Sequence, residues 1–139
     1  TNVLVYAHRK DSPWFESARR ALGPLIEGPA NWAVPWPCVH EFLAISTHPK
    51  IYRPPTELSH ALEQVTALLA SPSLLLLREP AGYWPVLRRL LAAGQVTGAK
   101  VHDARIAALC LCHGVTELWS ADRDFSRFPE LKTRNPLVG

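Results

Sequence analysis

The sequence predicts an α/β fold in which helices cover both faces of a central, mostly parallel sheet, giving three α/β/α layers. Segments with helical periodicity alternate along the chain with short apolar runs of the strand type. The run from Ser73 to Leu77 is apolar between turn signals, which is typical of a buried parallel strand. A length of 139 residues allows one core, so we expect residues 1–139 to form a single domain.

The first elements follow from capping residues and prolines. The opening residues are typical of a helix with Thr1 as a possible N-cap. Ser12 and Pro13 predict the N-cap and first residue of a second helix. A short strand is predicted over 31–36 and a further helix over 37–48, because prolines delimit both.

The remaining predicted elements keep the same alternation. In chain order they are an amphipathic helix over 56–70, a strand over 73–77, a helix over 82–93, a helix over 101–113, a strand over 115–121 and an edge strand over 131–137. Ligands of such folds bind at the carboxyl ends of the strands. Side chains that follow the strands are therefore the first candidates for a functional site.

Composition excludes several classes of protein. Apolar stretches such as Leu74–Leu77 are far too short to cross a bilayer, so we expect no membrane partner. The opening residues lack a signal-peptide pattern, and we expect a cytoplasmic protein. The three cysteines form no CxxC motif and are interpreted as reduced thiols rather than zinc ligands. A net charge of +3 permits a polyanionic partner without requiring one.

Four acidic residues, Glu41, Asp103, Asp122 and Asp124, are the main functional signal. Each is flanked by apolar residues, where an unpaired carboxylate is costly to bury. A shared Mg²⁺ or Mn²⁺ ion explains such a set, since these hard cations prefer carboxylate oxygens. We expect Asp103, Glu41 and Asp122 to bind the metal. Asp124 either takes part in catalysis directly or only holds the turn that follows.

Several segments together resemble the PIN-domain family, in particular the VapC-type toxin ribonucleases of type II toxin–antitoxin systems. The resemblance rests on the opening TNVLVYA, the helix around Glu41, the string VHDARIAA at 101–108, the string SADRDF at 120–125, and the closing residues 128–137. No single one of these motifs is specific. Their order and spacing over nearly the whole chain are.

The resemblance implies a function and a complete set of acids. It implies a metal-dependent endoribonuclease that hydrolyses RNA phosphodiester bonds through an activated water, with Glu41, Asp103, Asp122 and Asp124 as catalytic residues. It also implies a homodimer and a cognate antitoxin that neutralises the enzyme. The family's first acid would stand directly before Thr1, so we expect that aspartate and a first strand upstream of residue 1.

Other side chains are candidates for supporting roles. Thr1, Asn2 and Ser120 are expected to orient the carboxylates through hydrogen bonds. The basic residues that flank the acidic segments are candidates for RNA phosphate contacts: Arg9, Lys10, Lys50, Arg53, Lys100 and Arg105. The sequence leaves the identity of the cleaved RNA open.

Two other functions remain open at this point. The chain is alternatively a PIN-like protein without catalysis, which binds only RNA or a protein partner. It is also compatible with a metal-dependent phosphohydrolase that acts on a small molecule, because the same carboxylates and ion would serve that reaction.

Overall fold

The computed structural model describes residues 1–138, which form six α-helices, four short strands and two 3₁₀ helices. The helices are α1 (Asn2–His8), α2 (Phe15–Glu27), α3 (Trp36–Ser46), α4 (Leu58–Leu69), α5 (Tyr83–Gly94) and α6 (Val101–Cys112). The strands are β1 (Trp32–Pro35), β2 (Leu74–Leu77), β3 (Leu118–Trp119) and β4 (Thr133–Arg134), and the 3₁₀ helices are Gly98–Lys100 and Arg123–Arg127. The predicted α/β class is confirmed.

The start of α2 differs from the sequence prediction. The helix begins at Phe15, two residues after the predicted first residue, Pro13. Ser12 does accept a backbone hydrogen bond, from the N–H of Trp14 to its Oγ at 3.1 Å. That bond stabilises a turn that leads into the helix, so the Ser-Pro signal marks the turn and not the first helical residue.

The strands pair in parallel, as predicted, in two separate pairs within the described residues. β1 pairs with β2, with Trp32 opposite Leu74, and β3 pairs with β4, with Leu118 opposite Thr133. A groove of about 490 Å³ is lined by residues of both β1 and β3 and by Thr1. The first strand expected before Thr1 lies outside the described residues and stays a prediction.

The last two strands are shorter than the apolar runs that predicted them. β3 and β4 span two residues each, whereas strands were predicted over 115–121 and 131–137. Leu131 and Leu137 are nevertheless buried. The apolar runs therefore report packing against the core, which these residues achieve without extended ladder pairing.

Helix α6 is the centre of the core and fixes the position of the site. Its buried residues are Ala104, Ile106, Ala107, Ala108, Leu109 and Cys110. The helix ends at the predicted place, and Gly114 follows with a φ of +68°, a conformation that glycine adopts without a steric cost. Because the body of α6 is held on all sides, Asp103 in its first turn has a defined position.

Helix α4 does not bury the whole apolar stripe that the sequence predicts. Ala61 is fully buried, but Leu58, Leu62 and Leu69 are 63%, 48% and 39% exposed. These three leucines lie on one side of the helix, since they are spaced by four and seven residues. No helix in residues 1–138 combines the length and the apolar character that crossing a membrane requires.

Candidate active site

The acidic side chains come from elements whose ends meet at one edge of the fold. Asp103 lies in the first turn of α6, and Asp122 lies between the end of β3 and the 3₁₀ helix Arg123–Arg127. Glu41 lies in α3, the helix that follows the carboxyl end of β1. The folded chain thus brings Glu41 near Asp103, although the two are more than sixty residues apart in sequence.

Three of the four predicted acids form a close group. Asp103, Asp122 and Asp124 each present a carboxylate oxygen, and these oxygens lie within 4.8 Å of one another. Asp124 thus belongs to the group, although the sequence prediction left its direct involvement open. Glu41 was predicted as a metal ligand and lies outside this group of three.

Asp122 and Asp124 are held by a hydrogen bond between them. The backbone N–H of Asp124 donates to Oδ1 of Asp122 at 2.8 Å, so Asp122 is the N-cap of the 3₁₀ helix Arg123–Arg127. The bond satisfies a free N–H at the start of the helix. It also fixes two carboxylates of the group relative to each other.

Ser120 and Asn2 position the backbone of the segment that carries Asp122. The Oγ of Ser120, a buried residue, accepts hydrogen bonds from the N–H of Asp122 at 3.0 Å and from Nδ2 of Asn2 at 3.3 Å. Oδ1 of Asn2 accepts from the N–H of Ala121, also at 3.3 Å. Both residues were predicted to contact carboxylates, and in the structure they contact the main chain beside one.

Glu41 is oriented by Thr1. The hydroxyl of Thr1 donates to Oε1 of Glu41 at 2.6 Å, which is the type of contact the sequence predicted for Thr1. The charge of Glu41 is close enough to Asp103 to raise the pKa of that carboxyl. Glu41 therefore borders the group of three aspartates.

Burial and charged neighbours both act on the carboxyl group of Asp103. Burial raises the pKa of the Asp103 carboxyl above its ordinary value, and the negative charge of Asp122 raises that pKa further. The ammonium group of Lys100 lowers it, and Glu41 raises it again. A carboxylate beside other carboxylates is stabilised by any cation that enters the group.

Lys100 supplies the positive charge nearest to the group. It ends the 3₁₀ helix Gly98–Lys100, directly before α6, and its Nζ forms an ion pair with Oδ2 of Asp124. The sequence prediction assigned Lys100 to RNA phosphate contacts. Its contact with Asp124, 24 residues away, has no signal in the sequence.

The other predicted phosphate-binding residues differ in how free they are. Arg9 is held by Asp11, at 2.6 Å, and by the carbonyl oxygen of Pro54, at 2.9 Å, so its guanidinium stabilises a loop contact. Arg105 pairs with Glu79 at 3.1 Å on a partly exposed surface of α6. Lys10 is exposed.

The donor set fits a small divalent cation. All three aspartates offer hard oxygen ligands, which Mg²⁺ and Mn²⁺ prefer over nitrogen or sulfur. Their partial exposure leaves room for water and for a substrate. Burial raises the pKa of Asp103, and the charges of Asp122 and Glu41 raise it further, so a bound cation would offset the repulsion among these carboxylates.

Comparison with known proteins gives the class of this chain. The family model described as PIN domain matches residues 1–131. Ribonuclease VapC48 of Mycobacterium tuberculosis is 32% identical over 138 residues, covering 99% of this chain and 95% of the relative. VapC ribonuclease Mb2897 of Mycobacterium bovis is 36% identical over 138 residues, covering 99% of this chain and 93% of the relative. Ribonuclease VapC31 of Mycobacterium tuberculosis is 30% identical over 135 residues, covering 97% of this chain and 94% of the relative.

The chain belongs to the PIN-domain family. Within that family it is of the VapC type, since relatives of that name align with nearly its whole length. The resemblance inferred from the opening residues, the acidic strings and the closing residues is thereby confirmed.

Proposed function

We propose that this protein is a metal-dependent endoribonuclease toxin that hydrolyses RNA phosphodiester bonds and is neutralised by a cognate antitoxin. The relatives at 30–36% identity are named ribonucleases, which supports RNA as the substrate. The observation that carries the proposal is the group of three aspartate carboxylates within 4.8 Å, at the strand edge where ligands of parallel α/β folds bind.

The proposed metal ligands are Asp103, Asp122 and Asp124, with Glu41 beside them. When bound, Mg²⁺ or Mn²⁺ supplies an activated water and neutralises charge on the phosphoryl oxygens. Asp122 keeps Asp124 in place through its N-cap bond, and Ser120 keeps Asp122 in place through the backbone. These contacts hold the site in advance, so little ordering is left to occur when the substrate arrives.

Glu41 is proposed to take the proton of the attacking water. Thr1 fixes Oε1 of Glu41, and Oε2 is then the oxygen that can accept a proton. In the reaction a water oxygen bonds to phosphorus, one P–O bond of the RNA backbone breaks, and the leaving oxygen takes a proton from solvent water. No covalent enzyme intermediate is needed, because the nucleophile is water.

The substrate phosphates are proposed to lie beside the acidic group, near the basic residues of α6 and the preceding loop. Arg105 projects from the same helix as Asp103 and is partly exposed. Lys10 is an exposed candidate for a more distant phosphate. Such contacts hold the backbone in register without reading the sequence of the RNA.

The antitoxin is proposed to insert a basic side chain, an arginine, into the acidic group. A guanidinium can pair with two carboxylate oxygens at once. The ion pair between Lys100 and Asp124 supports this proposal, because it shows that one of the same carboxylates can pair with a basic side chain. An arginine there would compete with the metal.

A homodimer is proposed as the assembled form. The exposed leucines of α4, Leu58, Leu62 and Leu69, support this proposal, because a contiguous apolar stripe is costly to leave in water.

The chemistry of the RNA ends tests the proposed reaction. Hydrolysis by water leaves linear phosphate and hydroxyl ends, whereas attack by the ribose 2′-hydroxyl leaves a 2′,3′-cyclic phosphate. Purified protein is incubated with single-stranded RNA and Mn²⁺, and the ends are identified by mass spectrometry. We expect linear phosphates only, and cyclic ends would reject the hydrolytic mechanism.

A further inference from the structure

Lys100 places an ammonium group against one carboxylate of the acidic group. Its Nζ contacts Oδ2 of Asp124, one of the three carboxylates whose oxygens lie within 4.8 Å of one another. The same ammonium group acts on Asp103, whose negative charge it favours. A single lysine therefore offsets charge on two of the three aspartates.

The ion pair is not needed to hold the fold together. The side chains of Lys100 and Asp124 are 40% and 37% exposed, and exposed ion pairs contribute little to stability. The segment before α6 is anchored instead by the helix itself, whose residues from Ala104 to Cys110 are mostly buried. Lys100 is thus free to change partner without a cost to the core.

Simultaneous binding of a divalent cation and the ammonium group to Asp124 is electrostatically unfavourable. Both would lie against the same carboxylate, and two positive charges at such short range repel each other strongly in a partly buried site. The lysine stem is flexible and carries a compact charge at its end. Rotation of that stem moves the ammonium group away from Asp124 while the backbone of the 3₁₀ helix stays in place.

We propose that Lys100 is a built-in competitor for the catalytic cation, and that it exchanges Asp124 for an RNA phosphate when the cation binds. The inference rests on the proposed function, because it requires the aspartates to bind a metal and the protein to bind RNA. In the metal-free protein Lys100 reduces the repulsion among the carboxylates. In the metal-bound protein it is a positioning residue for the substrate.

Two variants and a matched control separate these roles. Lys100→Gln removes the charge and retains polarity, and Lys100→Arg retains the charge. Lys132→Gln is the control, because Lys132 is an exposed lysine that also forms an ion pair. Its partner is Glu117, at 3.6 Å, the residue directly before β3. The affinity for Mn²⁺ is measured by isothermal titration calorimetry on the full chain without RNA.

For Lys100→Gln we expect tighter binding of Mn²⁺ and weaker binding of RNA. Lys100→Gln binds Mn²⁺ about three- to fivefold more tightly than wild type, the range that an exposed ion pair supplies. At saturating Mn²⁺ it raises the KM for single-stranded RNA about tenfold with kcat unchanged, because it loses a charged hydrogen bond made equally in ground and transition states. Lys100→Arg and Lys132→Gln stay near wild type in both.

Each contrary result has a distinct meaning. Weaker or unchanged Mn²⁺ binding by Lys100→Gln overturns the competitor role, and an unchanged KM overturns the exchange to phosphate. The proposed function survives either result, provided that wild type binds Mn²⁺. If neither wild type nor Lys100→Gln binds Mn²⁺, the metal site itself is wrong and this inference is overturned with it.

Discussion

Asp122 caps the 3₁₀ helix that begins with Arg123 by accepting the N–H of Asp124 at 2.8 Å. One short segment after β3 thereby delivers two carboxylates to the site, and the first of them orients the second. A residue that follows a strand can serve as a cap and as a metal ligand together, because a carboxylate has two oxygens. Oδ1 of Asp122 is used for the cap, and Oδ2 is left for a cation.

Asp103→Asn is expected to abolish cleavage without unfolding the protein. Asparagine preserves the size of the side chain but loses the charge that a metal ligand needs, so we expect RNA cleavage to fall more than about 100-fold. Cleavage rate and thermal midpoint are compared with those of Glu63→Gln, a control on the exposed face of α4. Normal cleavage by Asp103→Asn, or loss of its fold, contradicts the assignment.

Asp103 is also expected to make stability fall as pH rises in EDTA. Because the folded-state pKa of Asp103 is raised from 3.8, the folded protein holds that proton more tightly than the unfolded chain. Unfolding free energy contributed by this residue is therefore lost as pH rises from about 4 through the raised pKa.

Urea unfolding at pH 4 and pH 7 measures this effect by comparison with Asp103→Asn, which cannot ionise. We expect the unfolding free energy of the variant, relative to that of wild type, to rise between pH 4 and pH 7. The rise is less than about 1 kcal/mol, because solvent reaches the carboxyl group. A relative unfolding free energy of the variant that falls between pH 4 and pH 7 would contradict the predicted sign.

Ser120→Ala is expected to weaken both the fold and the site. The change removes the acceptor for the N–H of Asp122, and loss of a hydrogen bond of this kind costs about 0.5–1.5 kcal/mol of unfolding free energy. The affinity for Mn²⁺ falls as well, because Asp122 is less well held. Ser126→Ala, an exposed position in the following 3₁₀ helix, is the control. Equal Mn²⁺ affinities for Ser120→Ala and wild type would show that Ser120 does not position the ligand.

The exposed leucines of α4 are expected to stabilise a dimer. Leu58→Ser with Leu62→Ser removes two apolar side chains from the stripe and raises the dimer dissociation constant more than about tenfold. Light scattering over a range of concentrations gives the oligomeric state, with the exposed Trp84→Ser as the control. Dimerisation that is unaffected by the double substitution places the interface elsewhere.

The helices were predictable from the sequence because their signals are local. Proline and glycine positions together with helical periodicity located α3, α5 and α6 to within a few residues. The strands β3 and β4 were overestimated, since an apolar run reports burial and not ladder pairing. The exposure of Leu58 and Leu62 could not be predicted, because a pattern does not say whether another chain covers a face.

The acids were predictable and their arrangement was not. Glu41, Asp103, Asp122 and Asp124 stand out in the sequence by their apolar surroundings. Which three of them come within 4.8 Å depends on tertiary placement and on the cap between Asp122 and Asp124. The aspartate expected before Thr1 stays a prediction, which the coding sequence or the intact mass of the native protein tests.

Metal dependence of RNA cleavage is the most direct test of the central claim. Purified protein is assayed on single-stranded RNA in excess EDTA and again after Mn²⁺ or Mg²⁺ is restored, and Asp103→Asn is assayed beside it. Thermal unfolding is followed in the same samples, because a ligand at 100 times its dissociation constant stabilises the folded protein by about 2.7 kcal/mol.

We expect no cleavage in EDTA, recovery on addition of the cation, and a raised thermal midpoint in wild type but not in Asp103→Asn. Undiminished cleavage in excess EDTA would contradict the metal-dependent mechanism, and with it the role assigned to the three aspartates.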